Sequence, residues 1–298
     1  MILASTVLVV GAGAAAPYEI PTGRRLLEDV INRSREVVRD VPGLLEIDPA
    51  CVASFVELLH EADCDSIDGV LERRRNDSAA QTAGRGVIAY CLAPYLRRTT
   101  LTAPDADWLK FVWNKMNEGA TTLPELRRNR VHFVTFNFDQ VIELKLERAI
   151  AALYPTASPA DIREYVETVV IHVHGAMTHP TAAKVTPEWL QAAVRGMHLV
   201  HERGIDLTVN IVRNLVEEAE VLCCLGFGHH RDNVSKLGFP ELRPETTRCK
   251  RIFATAYGLS ASETAEAVKV YGPVWPFELG TPEEDCLAFL KNHHVLRG

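Results

Sequence analysis

A chain of 298 residues, 47% of them apolar and 24% charged, has the make-up of an ordinary soluble globule and holds one large domain or two small ones. Its net charge of −7 argues against general affinity for nucleic acid, and its apolar runs fall well short of the roughly 18 residues a membrane span needs. Its seven cysteines are scattered, odd in number and free of any C-x-x-C pair, which indicates reduced thiols in a cytoplasmic protein and no cysteine zinc knuckle.

The first predicted element is the apolar run Val7 to Val10, which reads as a buried strand of a parallel sheet. It ends in Gly11-Ala12-Gly13. Two glycines there allow a sharp turn and a close approach to a ligand, and the N–H groups of such a turn favour a pyrophosphate. A nucleotide site at the carboxyl end of this strand is the first expectation. Two other readings compete. ILASTVLVVGAGAAA is apolar and ends in small residues, as a secretory signal does, but no Lys or Arg precedes it and the chain runs straight on to Pro17 and Pro21. Gly11 to Ala16 also satisfies the dinucleotide fingerprint G-x-G-x-x-A. There the helix would run on through Pro17 and Pro21, and interior proline costs about 3 kcal/mol. Pro21-Thr22-Gly23 instead reads as a loop feeding a helix over 24–37.

Val41-Pro42-Gly43 breaks that pattern. Helices are then predicted over 51–61, 66–74, 78–96 and 107–116, with Trp108 and Trp113 in the core. Some 80 residues between the first two strands are thus helical, more than a simple crossover needs. They read as a helical subdomain, at about 45–120, inserted into one α/β domain that spans the chain. The second strand is Val131 to Phe136, followed by Asn137-Phe138-Asp139 and a helix over 140–152. After a helix over 159–168, the third strand covers 169–173 and ends in His174-Gly175. Helices over 184–202 and 207–220 lead to the fourth strand, 221–225, which ends in Gly226-Phe227-Gly228. Strands at 251–255 and 268–271 and a helix over 283–292 complete the chain. Strands alternating with helices predict a doubly wound, Rossmann-like parallel sheet with helices on both faces.

In such a sheet ligands bind beyond the carboxyl ends of the strands. Four strand ends carry chemistry: Gly11-Ala12-Gly13, Asn137-Phe138-Asp139, His174-Gly175 and Gly226-Phe227-Gly228. Singly each is ordinary, since an Asn or Asp after a strand most often caps the next helix. Together and in this order they resemble the sirtuin-like family, which cleaves the nicotinamide–ribose bond of NAD. GAGAAAPYEIPTG resembles that family's glycine loop and proline-containing cofactor loop, TFNFD its T-x-N-x-D motif, HVHG its His-Gly, and LGFGHHRD its later glycine turn. The resemblance covers Val9 to about Asp232. It implies a cofactor loop at Gly11, Ala12, Gly13, Pro21 and Thr22, with Ala12 and Gly13 on the diphosphate. It implies Asn137 and Asp139 on the nicotinamide side, His174 as catalytic imidazole, and Gly226 with Phe227 as floor of the adenosine site.

The chain also departs from the protein-deacylating members. It has no cysteine between Cys91 and Cys223, where those carry four zinc ligands, and Thr22-Gly23-Arg24-Arg25 stand where they carry Phe-Arg. No zinc module and no acyl-lysine peptide cleft are implied. Zinc-free members with the Pro-Thr-Gly loop resemble bacterial anti-phage NAD hydrolases, which act as oligomers held inactive until a partner or fused sensor responds. The resemblance therefore implies an NAD hydrolase that needs no metal, a homo-oligomer, and a defence-system partner protein.

The chemistry suits these residues. Loss of nicotinamide leaves an oxocarbenium-like ribose, and hydrolysis needs the ribose held and a water admitted to its anomeric face. Asn137 both donates and accepts hydrogen bonds. His174 accepts a proton near neutral pH, a contribution of about 100- to 10,000-fold. Asp139 reads as an orienter or helix cap. Other readings stay open: an NAD or ADP-ribose sensor without turnover, a protein deacylase, or ADP-ribosyl transfer to a protein. His172, His174, His198, His201, His229 and His230 could suggest a metallohydrolase, but no complete ligand set assembles from them. Alone, His172 reads as a core histidine paired with backbone, and Arg73-Arg74-Arg75 and Arg127-Arg128 as solvated charge.

Overall fold

Runs of β-branched and apolar residues form the inner strands of a six-stranded sheet in the computed structural model, which describes residues 1–64, 66–197, 203–238, 251–271 and 277–297. After β1 (Thr6–Val10) the chain makes one turn of helix, α1 (Ala12–Ala15), and a 3-10 turn over Ala16–Tyr18. Seven further helices precede the next strand: α2 (Gly23–Asn32), α3 (Ser34–Leu45), α4 (Pro49–Glu61), α5 (Ile67–Arg73), α6 (Ser78–Arg98), α7 (Trp108–Asn117) and α8 (Leu123–Leu126). Then come β2 (Val131–Thr135), α9 (Val141–Leu153), α10 (Pro159–Val169) and β3 (Val170–His172). The rest of the described chain is α11 (Pro187–Gly196), α12 (Arg203–Glu218), β4 (Val221–Leu225), α13 (Arg231–Lys236), β5 (Arg251–Ala254), α14 (Ala261–Tyr271), β6 (Phe277–Leu279) and α15 (Cys286–Asn292).

All pairings are parallel and the strand order is β3-β2-β1-β4-β5-β6. This is the doubly wound, Rossmann-like arrangement, with its switch point between β1 and β4. β1 is buried on both faces, and its alternation divides the core. Leu8 and Val10 face the layer built by the inserted helices; Val7 and Val9 face the layer of α12, α13 and α14. Among the described residues no helix is long and apolar enough to cross a membrane.

The register sets up the site. Val10 pairs with Thr135 and with Leu225, and Thr135 pairs with His172. Four strands therefore end at one level, and the four motif turns leave the sheet side by side.

Three elements differ from their predictions. The helix expected over 24–37 is two helices that meet at Arg33, and the break expected at Val41-Pro42-Gly43 falls inside α3. Val37, Val41 and Pro42 are all buried where α3 packs on α4, α6 and α11, so tertiary packing outweighs the lost backbone bond of Pro42. The strand expected at 268–271 is the last turn of α14, where Ala267 and Tyr271 bury one helical face at a spacing of four; the sixth strand lies at β6 instead. The helix expected over 184–202 is described only as α11, which starts after its Thr186 cap, and residues 198–202 lie outside the described residues. Trp108 and Trp113 are both in the core.

Candidate functional site

Backbone meets backbone at the switch point. A Cβ on Gly11 would stand 2.5 Å from the Gly226 carbonyl oxygen and 2.7 Å from Phe227 Cα. Gly226 itself has φ +55, and a Cβ there would stand 2.0 Å from the Ala14 nitrogen. These positions are glycine because the turns after β1 and β4 pack without space for any side chain. The same contact uses up donors that a phosphate would want. The N–H of Gly11 donates to Leu225 O, that of Gly13 to Gly226 O and that of Ala14 to Gly11 O, each at 3.0 Å. The sequence expectation that this turn offers a row of open amides to a pyrophosphate is therefore corrected: three of them bind the fold to itself. Of the expected glycine-turn residues, Ala12 is the one that lines the cleft.

The inserted helices hold this turn from behind. Trp108 Nε1 donates to the Ala14 carbonyl at 2.7 Å, and the Tyr18 hydroxyl donates to Asp107 Oδ1 at 2.9 Å. Lys145 Nζ reaches both Asp107 oxygens at 2.6 and 2.5 Å. Burial disfavours the Asp107 charge, but Lys145, the Lys110 N–H and Tyr18 outweigh it and hold the carboxyl below its usual range.

The cleft opens in front of the turn and is partly open to solvent. Its floor is Ala12 with Phe136, Asn137, Phe138 and Asp139; its walls are Ile20 and Pro21 of the loop, Gly23 at the start of α2, and apolar residues of α2, α5 and α6. An apolar pocket with a few convergent polar groups is the usual make-up of a small-molecule site. Asp68 of α5 adds a carboxylate at the mouth. Solvent reaches it there. Thr22 lies beside the loop residues of the cleft and caps α2 by accepting from the Arg25 N–H at 3.4 Å.

Asn137 is bound on three sides. Its N–H donates to Thr135 Oγ1 at 3.1 Å, its side-chain amide to the Gly11 carbonyl at 3.2 Å, and its own carbonyl contacts His172 Nδ1 at 2.9 Å. Asp139 Oδ1 accepts from the Val141 N–H at 3.1 Å as α9 begins. Its Oδ2 is buried without a hydrogen-bond partner among the described residues. Burial, aided by the nearby Glu143, pushes the Asp139 pKa up to about 6, against the Val141 N–H and His172.

His174 is half-buried and stands just outside the cleft lining. Its ring meets Phe136 edge-on at 5.6 Å between centroids, and Phe138 at 6.5 Å. Phe136 meets Phe227 edge-on at 5.0 Å, and Phe227 meets His229 at 6.0 Å. Phe136 and Phe227 follow strands that flank β1 on either side. Their rings meet across it because β1 continues into glycines rather than side chains. Of the expected site residues, Ala12, Pro21, Asn137 and Asp139 line the cleft and His174 and Phe227 stand in an aromatic row, with Phe136 common to both, while Gly11, Gly13 and Gly226 form the backbone contact and Thr22 caps α2.

Sequence reasoning missed Phe136, Asp68 and Glu143. The first read as the last residue of the second strand; Asp68 and Glu143 lay on the helices expected over 66–74 and 140–152 and gave no signal. Two of the histidines considered for a metal have other partners. His172 Nε2 contacts Glu143 Oε1 at 2.5 Å, and the buried His229 contacts the Tyr271 hydroxyl at 2.8 Å and Thr255 O at 2.9 Å. His198 and His201 lie outside the described residues. Among the described residues no group of three or more His, Cys, Asp or Glu is placed to hold a metal ion.

No known protein-family model matches this chain, and no curated protein matches it.

Proposed function

We propose that the protein is a sirtuin-like NAD hydrolase that cleaves the nicotinamide–ribose bond. The observation that carries this reading is the placement of Asn137 and Asp139 on the floor of an apolar cleft at a Rossmann-like switch point, with His174 against the ring of Phe136 that lines the same floor. In the reaction the C1′–N1 bond breaks and its electron pair leaves with nicotinamide, which cancels the pyridinium charge. Water bonds to C1′, and its proton passes to His174. Asn137 orients the ribose hydroxyls and the water, and Asp139 faces the nicotinamide side. Gly11, Ala12, Gly13, Pro21 and Thr22 shape the cofactor loop, and Gly226 with Phe227 floors the adenosine side. The chemistry needs no metal. We place it in the cytoplasm, in a homo-oligomer answerable to a defence partner, where NAD depletion would halt phage growth.

A second reading, binding of NAD or ADP-ribose without turnover, is favoured by one fact: His174 does not line the cleft itself. Incubating the pure protein with NAD and separating nicotinamide and ADP-ribose by chromatography, with calorimetry for binding, decides between them. Release of nicotinamide that His174→Ala abolishes supports the hydrolase. Binding with no release, also in the assembled oligomer, supports the sensor. Neither binding nor release rejects both.

A further inference from the structure

A largely buried pair of titratable side chains, His172 and Glu143, lies directly behind the Asn137 turn, and the proposed reaction does not use it. His172 ends β3 in register with Thr135, two residues before Asn137. Its side chain is 11% exposed and that of Glu143 15%. Nδ1 faces the Asn137 carbonyl and Nε2 faces the Glu143 carboxylate. A carbonyl oxygen and an ionised carboxylate only accept, so both ring nitrogens have to donate, which makes the ring an imidazolium. Glu143 stands in the first turn of α9, one turn beyond Asp139, where the helix N-terminus favours negative charge. Each of these two carboxylates keeps one buried oxygen, Oδ2 and Oε2, without a hydrogen-bond partner among the described residues.

We propose that His172 is a positioning residue which, braced by Glu143, clamps the Asn137 carbonyl and thereby fixes the turn that presents Asn137 and Asp139 to the cleft. The groups that act on it are Glu143 from α9 and Asp139 from the turn; His179 after β3 feels the same Glu143 carboxylate. Burial disfavours the charge on His172, but Glu143, the Asn137 carbonyl and Asp139 outweigh it and raise its pKa. Below that raised value the ring donates to both partners, and one of the two contacts is lost as the pH rises through it. The clamp's link to turnover rests on the hydrolase reading; its structural half does not.

The test uses the full-length protein with Glu143→Gln and His172→Gln, chosen to keep size and polarity. Nitrogen NMR of the His172 ring across pH reports the clamp directly. In the wild type both nitrogens should carry protons at neutral pH, and in Glu143→Gln the ring should deprotonate at least about one pH unit lower. Amide exchange at 137–139 should quicken about tenfold or more in both variants. If the wild type releases nicotinamide, the alkaline limb of its kcat profile should move down by the same interval in Glu143→Gln, with KM little changed, which a merely destabilised protein would not show. A wild type that releases none rejects the hydrolase reading and leaves the clamp to be decided by NMR and exchange. A singly protonated His172 at neutral pH, or an unchanged titration and exchange rate in Glu143→Gln, overturns the clamp.

Discussion

The side-chain amide of Asn137 donates to the carbonyl of Gly11 at 3.2 Å, joining residues 126 apart in sequence. The bond ties the turn after β2 to the turn after β1, so the residue expected to orient ribose also fastens the glycine turn. Asn137→Ala should cost about 1 kcal/mol of stability, because the carbonyl loses one partner. It should also lower nicotinamide release on the order of 100-fold through misplaced substrate. Thermal unfolding and product release measure the two separately, and wild-type turnover in a folded Asn137→Ala protein would remove this residue from the site.

Gly226→Ala should be among the most damaging single methyl groups in the chain. The added carbon meets the Ala14 nitrogen at 2.0 Å, in a backbone conformation with φ +55. Left-handed strain alone costs about 1–3 kcal/mol, and the overlap adds to it. Gly13→Val belongs with it: its Cβ would stand 3.0 Å from Gly226 Cα and O, so its first effect is on the packing of the two turns rather than on a ligand. Denaturant midpoints should fall in both, and a Gly226→Ala protein as stable as the wild type would contradict the close packing of these turns.

Asp139 gives a pH signature. Its pKa rises on folding from 3.8 to about 6, so the folded state holds the proton more tightly than the unfolded state. That contribution is present in full below about 3.8 and is lost as the pH climbs through 6. Asp139→Asn removes the dependence. The variant should gain on the wild type between pH 4 and 7, by up to about 3 kcal/mol for a shift of this size, and should gain nothing further above pH 7. A difference in unfolding free energy that stays flat over this interval would falsify the raised pKa.

His174→Ala should lower nicotinamide release by about 100- to 10,000-fold with little change in melting temperature, since its ring is half-buried and packs edge-on against Phe136. His172→Ala behaves otherwise. It leaves the buried Glu143 carboxylate and the Asn137 carbonyl without the imidazole, and breaking such a pair costs about 3 kcal/mol or more. Calorimetric unfolding of the two proteins should separate them, and equal melting temperatures would count against the buried ion pair.

The motif turns were legible because strand ends in a parallel sheet advertise themselves: an apolar run, then residues that a strand would not carry. Gly11, Asn137, His174 and Gly226 were found in that way, and the register of β1 with β2 and β4 does bring those turns together. The use of the Gly11, Gly13 and Ala14 amides was not legible, since it depends on how near the Gly226 turn comes. Pro42 and the run 268–271 misled for a related reason. A proline in a buried helix and a β-branched helical turn are local signals that packing overrides. Glu143 gave no signal in its helix; only the register of His172 against Thr135 shows what it faces.

The central strand has an unusual history during synthesis. β1 is TVLVV, buried along its whole length, and its two hydrogen-bonded neighbours are β2 and β4, which begin at Val131 and Val221. A ribosome adding about 5–20 residues per second needs on the order of ten seconds to deliver the first of them. Throughout that interval the nascent chain carries an unpaired, apolar, β-branched segment, the kind that pairs readily with a neighbouring chain. Many of the contacts of the helices that separate β1 from β2 are with one another, so they can form before β2 is made. Trp108, once packed, seats the residues just beyond β1 through Ala14, and the inserted helices cover the Leu8 and Val10 face of the strand. The inserted layer thus serves as an internal escort for the strand as well as a wall for the cleft.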